Sequence, residues 1–134
     1  MTGELLLPLR IYIEDTDAGR IVYHANYLKY FERARTEFMR AHGFGKGYIF
    51  SADMMFVVHS LSTEFLKPAC LDDEVIATAR IIKLGSASIT FEQQLRRGEE
   101  LLCRGEVCIA CVDKQRMRAQ RIPVEVMKTL SASI

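Results

Sequence analysis

Ala25-Asn26-Tyr27-Leu28-Lys29-Tyr30-Phe31-Glu32-Arg33-Ala34-Arg35-Thr36-Glu37-Phe38-Met39-Arg40-Ala41-His42 is the stretch that decides how the rest of the chain is read. Tyr27, Phe31, Ala34, Phe38 and Ala41 recur at helical spacing and form one stripe. Lys29, Arg33, Thr36, Glu37 and Arg40 fall away from it, so the segment reads as one long amphipathic helix. Gly43 supplies the stop. With Gly45 and Gly47 it makes the following stretch a loop or a broken short helix.

On either side of this helix the period changes to two. Residues 9 to 13, Leu-Arg-Ile-Tyr-Ile, alternate and predict a first strand. Residues 14 to 20, Glu-Asp-Thr-Asp-Ala-Gly-Arg, break the alternation and predict a loop. Beyond the helix, strands are expected at 55–66, 73–84, 86–96 and 101–113, separated by residues 68 to 72, Gly85, and Gly98-Glu99-Glu100. The last gap is short enough for a hairpin. A closing helix is expected from Pro123, with Val124, Met127 and Leu130 on one face. No repeat or linker interrupts this order, so one domain is expected over residues 1–134.

Strand, long helix, then a run of strands is the order of an α+β protein with an antiparallel sheet. One helix cannot cover both faces of such a sheet. Its aromatic stripe should lie across one concave face, and the other face or an edge should be covered by a second copy. A homo-oligomer is therefore expected.

The bulk numbers agree with a soluble domain: 134 residues, 49% hydrophobic and 26% charged. A net charge of +1 gives no reason to expect nucleic acid. No apolar run approaches the ~20 residues of a membrane span. The start, with Glu4 and only Leu5-Leu6-Leu7 before Pro8, does not read as a secretory signal. Four cysteines then read as reduced thiols of a cytoplasmic protein.

Chemistry-bearing residues are densest from 14 to 27, where three carboxylates, a glycine and His24 precede the helix. A helix N-terminus offers unpaired N–H groups and partial positive charge, suited to a carbonyl oxygen that gains negative charge. A carboxylate beside it could attack that carbonyl or activate water. The same spacing also fits Asp15 and Asp17 as a solvent-facing turn or cap. A calcium loop fails, because its third ligand position is Gly19 and its twelfth is Asn26.

Cys103, Cys108 and Cys111 have the spacing of an iron–sulfur ligand run. Strand alternation instead puts Cys103 and Cys111 on one face and Cys108 on the other, as buried thiols would be. His24, His42 and His59 form no zinc-type pair. No metal and no cofactor is expected.

The stretch Asp15-Thr16-Asp17-Ala18-Gly19-Arg20-Ile21-Val22-Tyr23-His24-Ala25-Asn26-Tyr27 resembles hotdog-fold thioesterases of the 4-hydroxybenzoyl-CoA thioesterase type, most of all their Tol-Pal-associated branch. Phe31-Glu32-Arg33-Ala34-Arg35-Thr36-Glu37, Pro68-Ala69 with Leu71-Asp72-Asp73, and Cys111-Val112-Asp113 extend the resemblance over nearly the whole chain. It implies an antiparallel sheet wrapped around one central helix, a homodimer or homotetramer, and an active site between subunits. It implies Asp17 as the catalytic carboxylate and the N–H of His24 as the group that polarises the thioester carbonyl. It also puts Tyr23 at the site, completed by partner residues around Val57 and Val58. The enzyme acting on 4-hydroxybenzoyl-CoA carries a basic cluster before the strand near Ser88. This chain has Gly85-Ser86-Ala87 there, with Lys83 nearby, a pattern similar to the Tol-Pal-associated branch. Lys83, Ser86, Arg116 and Arg118 are then the candidates for coenzyme A, phosphate sites being built from charge-assisted donors.

The expected function is hydrolysis of acyl-CoA thioesters, with Asp17 as nucleophile or general base and Met54, Met55 and Phe56 lining an acyl pocket or the core. Two alternatives stand beside it. A hotdog dehydratase on acyl carrier protein would pair His24 with Glu32 or Glu37 and leave Asp17 without a role. A non-catalytic acyl-CoA-binding protein would not need the carboxylate. On family grounds, acyl carrier protein and the envelope machinery are candidate partners.

Overall fold

The computed structural model describes residues 3–45 and 53–134; Gly47, read as part of a loop, lies outside them. The elements are β1 (Leu5–Arg10), a 3-10 turn (Ile13–Asp15), α1 (His24–Ala41), β2 (Met54–Phe65), β3 (Glu74–Leu84), β4 (Ser88–Arg97), β5 (Glu100–Asp113) and α2 (Val124–Ser131). The five strands form one sheet in the order β1-β3-β4-β5-β2, and every pair is antiparallel. With α1 laid against one face, this is the α+β hotdog arrangement that the sequence predicts.

The helix and the last four strands stand within two residues of their expected bounds. The first strand does not. It runs from Leu5 to Arg10 instead of 9 to 13, and Pro8 lies inside it opposite Ile76. Proline removes a ladder donor, but β1 is an edge strand, where one side needs none. Ile11 still belongs to the core, while Tyr12 and Ile13 turn outward.

The buried face of α1 is Tyr27, Tyr30, Phe31, Ala34, Phe38 and Met39. Ala41 of the expected stripe is exposed, because the helix ends there and no sheet faces it. On α2, Leu130 is buried and Met127 packs against the core as expected, but Val124 is exposed and Val126 is buried in its place. Pro123 precedes the first helical residue as its cap, so Val124 stands at the exposed first turn.

Under α1, β4 presents Ile89, Phe91, Gln93 and Leu95, all fully buried. The rings of Phe38 and Phe91 meet edge to face with centroids 5.2 Å apart. Ala77 and Ala79 let the helix approach β3 closely. Each fully buried aromatic or Leu side chain contributes about 1.5–3 kcal/mol relative to exposure. The outer face carries cross-strand ion pairs, Arg80 with Glu92 at 3.0 Å and Arg104 with Glu64 at 2.9 Å. Exposed apolar side chains gather on and just after the edge strand β2, at Val58, Leu61, Phe65 and Leu66.

Cys103 and Cys111 are buried on one face of β5 and Cys108 is half-buried on the other, as alternation predicts. Among the described residues, no group of three or more His, Cys, Asp or Glu could hold a metal ion. None of the described helices is long and apolar enough to cross a membrane.

Candidate active site

The acidic loop folds back on itself as a small hairpin. Asp15 accepts the Tyr23 N–H through its carbonyl at 3.0 Å, Thr16 bridges to Val22, and the Asp17 N–H donates to Ile21 at 3.0 Å. Asp17 thus sits near the tip, and the ladder leads directly into the first turn of α1. Three rungs separate it from His24, on the order of 10 Å between Cα positions. That gap suits a group bound between them.

The two loop aspartates differ in what they do. Asp15 Oδ2 accepts the Tyr12 N–H at 2.8 Å, and its carbonyl also takes the Asn26 side-chain amide at 2.8 Å. It pins the loop to the strand before and the helix after. Asp17 is exposed, and its Oδ1 accepts only the Gly19 N–H, at 2.8 Å. The other oxygen, Oδ2, accepts no hydrogen bond from the described residues.

Tyr23 caps α1 by position, without a side-chain cap bond. Asn26 N–H turns back to the Tyr23 carbonyl at 2.8 Å, and the His24 N–H meets no acceptor among the described residues. An open donor at a helix N-terminus is therefore present where the sequence expects it. Exposed Tyr23 and His24 lie ring to ring at 4.6 Å, and the His24 ring stands 6.2 Å from Phe65.

The segment that enters the resemblance as Pro68-Ala69 with Leu71-Asp72-Asp73, without a role at the site, supports this terminus. Residues 66–73 cross the end of the sheet, where Val22 N–H donates to Ala69 O at 2.9 Å and Leu71 N–H to Arg20 O at 3.2 Å. Tyr27 OH accepts the Ala69 N–H at 3.0 Å. Burial raises the Tyr27 pKa, and the Ala69 bond partly offsets the rise. The turn is braced by Arg97, which pairs with Glu100 at 2.8 Å and Asp73 at 2.5 Å; both hold its guanidinium protonated. The matching drop at Glu100 comes first from Lys67 and then from Arg97. Arg97 falls one residue past the expected strand 86–96, and only the fold shows what it reaches.

The remaining candidates stand elsewhere in the chain. Val57 is half-buried and Val58 exposed on β2, opposite Ala110 and Ile109. Phe65, beside His24, is seven residues further along the same strand, roughly 23 Å away. Lys83 and Ser86 are exposed at the β3–β4 turn, and Arg116 and Arg118 in the turn after β5. That end of the sheet is on the order of 30 Å from the Ile21–Cys70 bridge at the start of β3. One chain does not bring these residues to its own Asp17. Nor does it bring His24 to Glu32, roughly 12 Å along the helix axis, or to Glu37, which pairs with Arg40 at 3.4 Å.

Met54, Met55 and Phe56 line a groove of about 560 Å3 between the second half of α1 and the strand β2. Glu32, Arg35, Thr36 and Met39 form its helix side. Met54 is itself buried, while Met55 and Phe56 are half-buried along the wall.

An antiparallel sheet around one helix, with a carboxylate hairpin running into that helix's open N-terminus, defines a hotdog protein equipped for acyl chemistry. The family profile of the Thioesterase superfamily matches residues 19–104, and the chain belongs to that superfamily. It is 38% identical over 121 residues to the acyl-CoA thioester hydrolase YbgC of Escherichia coli O6:H1, covering 90% of both chains. To the acyl-CoA thioesterase YbgC of Haemophilus influenzae it is 41% identical over 120 residues, covering 89% of this chain and 88% of that one. Its fold matches a crystal structure described as a "Probable Thioesterase" from Bartonella henselae, with a TM-score of 0.85 and 34% identity over 90% of this chain and 99% of the other. The profile begins two residues past Asp17, so the carboxylate's place rests on the loop geometry.

Proposed function

We propose that the protein hydrolyses acyl-CoA thioesters to a free acid and coenzyme A, with Asp17 as the catalytic carboxylate. The observation that carries this reading is the hairpin that leads from an exposed Asp17 carboxylate, three rungs along, into the open N–H of His24. The thioester carbonyl oxygen would accept that N–H, which stabilises the negative charge formed on attack by up to ~3–4 kcal/mol. Asp17 then works by one of two routes. As nucleophile it displaces the coenzyme A thiolate and forms a mixed anhydride that water opens. As general base it takes a proton from water, whose oxygen attacks the same carbon. In both, the C–S bond breaks, the thiolate gains the proton, and the products are acid and thiol. The names of the 38–41% identical relatives support the substrate class.

The site is completed by a second copy. β2 is an edge strand whose outer backbone is unpaired and whose exposed Val58, Leu61 and Phe65 are apolar. Antiparallel pairing of β2 with itself, centred near Leu61 and Ser62, would bring the partner subunit's Val58 level with Phe65 and hence with Tyr23 and His24. The same two-fold carries the partner's far sheet end, with its Lys83, Ser86, Arg116 and Arg118, toward this chain's Asp17. Those side chains form no ion pair among the described residues, which leaves them available to coenzyme A phosphates or to an acyl carrier protein. A cytoplasmic location and Tol-Pal association belong to this reading, the first supported by a coenzyme A ester substrate and by cysteines read as reduced thiols.

The test is thiol release from short, long and aromatic acyl-CoAs, followed with a thiol-reactive dye for wild type and Asp17→Asn side by side. Release by the wild type and its loss in a folded, equally assembled mutant is the expected result. Equal rates in both would move catalysis off Asp17. Formation of a conjugated double bond without thiol release would favour the dehydratase reading.

A further inference from the structure

Where the segment after β5 runs into α2, the surface holds a hollow of about 620 Å3. That size is ordinary for a small-molecule site, roughly 300–1,000 Å3. Half of its lining is apolar, from Ile122, Pro123, Val124 and Met127. The other half is Ser86, Arg121, Lys128 and Ser131. The Ile122 N–H donates to Ser86 O at 2.9 Å, which ties the segment to the β3–β4 turn and holds Ser86 beside it. Ser131 turns its hydroxyl back to Met127 O at 2.6 Å, so Ser86, Arg121 and Lys128 are the polar side chains left for a ligand.

Neither half is satisfied within the chain. Val124 is 71% exposed on a helix whose Val126 and Leu130 are buried. Arg121 and Lys128 form no ion pair among the described residues, although Glu125 stands one turn before Lys128. Asp113, the carboxylate of the neighbouring turn, is taken by the N–H groups of Gln115 and Arg116 at 2.8 and 3.0 Å. An acyl chain would cover the apolar half and leave both cations unpaired. A simple anion would pair the cations and leave the apolar half in water. A flat ring that carries phosphate satisfies both, with the ring on the aliphatic side chains and the phosphate on charge-assisted donors.

We infer that this hollow binds the adenosine 3′-phosphate end of coenzyme A, the base against Pro123, Val124 and Met127 and the phosphate on Arg121 and Lys128. The enzyme thereby selects coenzyme A esters over esters of pantetheine or of a carrier protein, which lack that nucleotide. This rests on the thioesterase reading and adds to it the class of thiol carrier. With β2 paired to itself, β5 and β2 separate Ser86, at the start of β4, from the partner's β2. That gap is three strand spacings, about 14 Å, and the extended pantetheine arm of a thioester held at Asp17 of the partner subunit covers it. Arg116 and Arg118, on the turn before, line none of the hollow.

The test follows thiol release from one acyl group carried in turn on coenzyme A, dephospho-coenzyme A, pantetheine and acyl carrier protein. Wild type is expected to show a KM for the coenzyme A ester at least ~10-fold below that for the dephospho ester, the size of one charge-assisted contact, with kcat alike. Adenosine 3′,5′-bisphosphate should inhibit competitively, being the free form of the same group. Arg121→Gln and Lys128→Gln replace exposed side chains, so the thermal midpoint should hold while the KM for the coenzyme A ester rises toward the dephospho value. Equal KM for these two esters in wild type would overturn the inference. So would a preference that survives both substitutions together, which would put the phosphate on Arg116 and Arg118. Inhibition by the bisphosphate that is not competitive, or carrier-protein esters hydrolysed as well as coenzyme A esters, would also defeat it. No thiol release from any of the four defeats the thioesterase reading beneath it instead.

Discussion

The hydroxyl of Tyr27 accepts the backbone N–H of Ala69 at 3.0 Å, linking the first turn of α1 to the segment that crosses the sheet end. Ala69 in turn accepts Val22 N–H through its carbonyl, one residue before Tyr23. The geometry of the open helix N-terminus thus depends on a side chain that sequence reading assigns to the core alone. Tyr27→Phe keeps the ring contact with Phe65 and removes the acceptor, leaving a buried N–H unpaired at a cost of about 1–3 kcal/mol. Urea unfolding should show that loss, and thiol release should slow in kcat more than in KM, because the positioning of the loop is what changes.

Asp15 and Asp17 should separate cleanly in mutagenesis. Asp15 holds Tyr12 N–H with its carboxylate, so Asp15→Ala should cost about 1–2 kcal/mol in a denaturant melt. Asp17→Asn retains an oxygen for Gly19 N–H and should change stability by under ~0.5 kcal/mol. Its thiol release should nevertheless fall by at least ~100-fold, the usual range for an acid–base group. A stable Asp15→Ala beside an unfolded Asp17→Asn would reverse the two roles.

Gly105 is required by contact with the neighbouring strand. A Cβ there would stand 2.7 Å from Ser62 O and 2.8 Å from Thr63 Cγ2, with the Phe31 ring at 3.4 Å. Backbone on one side and a core ring on the other leave nothing that can yield. Gly105→Ala should therefore destabilise the fold by about 1–3 kcal/mol or more, read as a lowered thermal midpoint. Amides of β2 should lose hydrogen-exchange protection first, since that strand must move away.

How much of this was legible follows from which interactions are local. The change of hydrophobic period from 3.6 to 2 located α1 and four strands, and the turn at Gly98, with φ +62°, joined β4 to β5 as a hairpin. Pro8 misled the reading of β1, because a proline looks like a stop until its strand is known to be an edge. Tyr30 and Met39 were missed on α1, where the sheet covers a wider arc than one stripe. Strand order is a matter of long-range pairing, and no local pattern places β2 at the far edge from β1. For that reason the sequence could nominate Lys83, Ser86 and Arg118 without revealing that they stand a sheet length from their own Asp17. Arg35 was missed as well, since nothing in FERARTEF tells a solvated arginine from one held over a buried Gln93.

Cys103 should make stability fall on the alkaline side. Burial pushes its thiol up to about 12 from an ordinary 9.0. The folded state keeps the proton where the unfolded chain releases it, so this contribution is complete below pH 9 and is lost between 9 and about 12. Melts across pH 8 to 11 should show a slope of up to about 1 kcal/mol per pH unit from this group, and Cys103→Ala should flatten it. The native thiol should also resist iodoacetamide at pH 8, while half-buried Cys70 and Cys108 react.

The edge strand offers the most direct link between assembly and catalysis. Leu61 is 45% exposed on β2 and lies where self-pairing of that strand would be centred. Within one chain it pairs with Val107 of β5 and touches none of the loop 14–24 hydrogen bonds. Leu61→Lys should thus leave the monomer's fold in place, since the side chain it replaces is solvent-facing in one copy. Two lysines brought together across a two-fold would repel, and unlike leucines they would bury no apolar surface. Light scattering at micromolar concentration should then give the mass of one chain for the variant and a multiple of it for wild type. If the partner subunit's Val58 and basic turn complete each site, thiol release should drop by at least ~10-fold in the same preparation although Asp17 and His24 are intact. A monomeric variant with full activity would show that one chain suffices, and the coenzyme A phosphates would then have to be held by cations near the loop, such as Arg20.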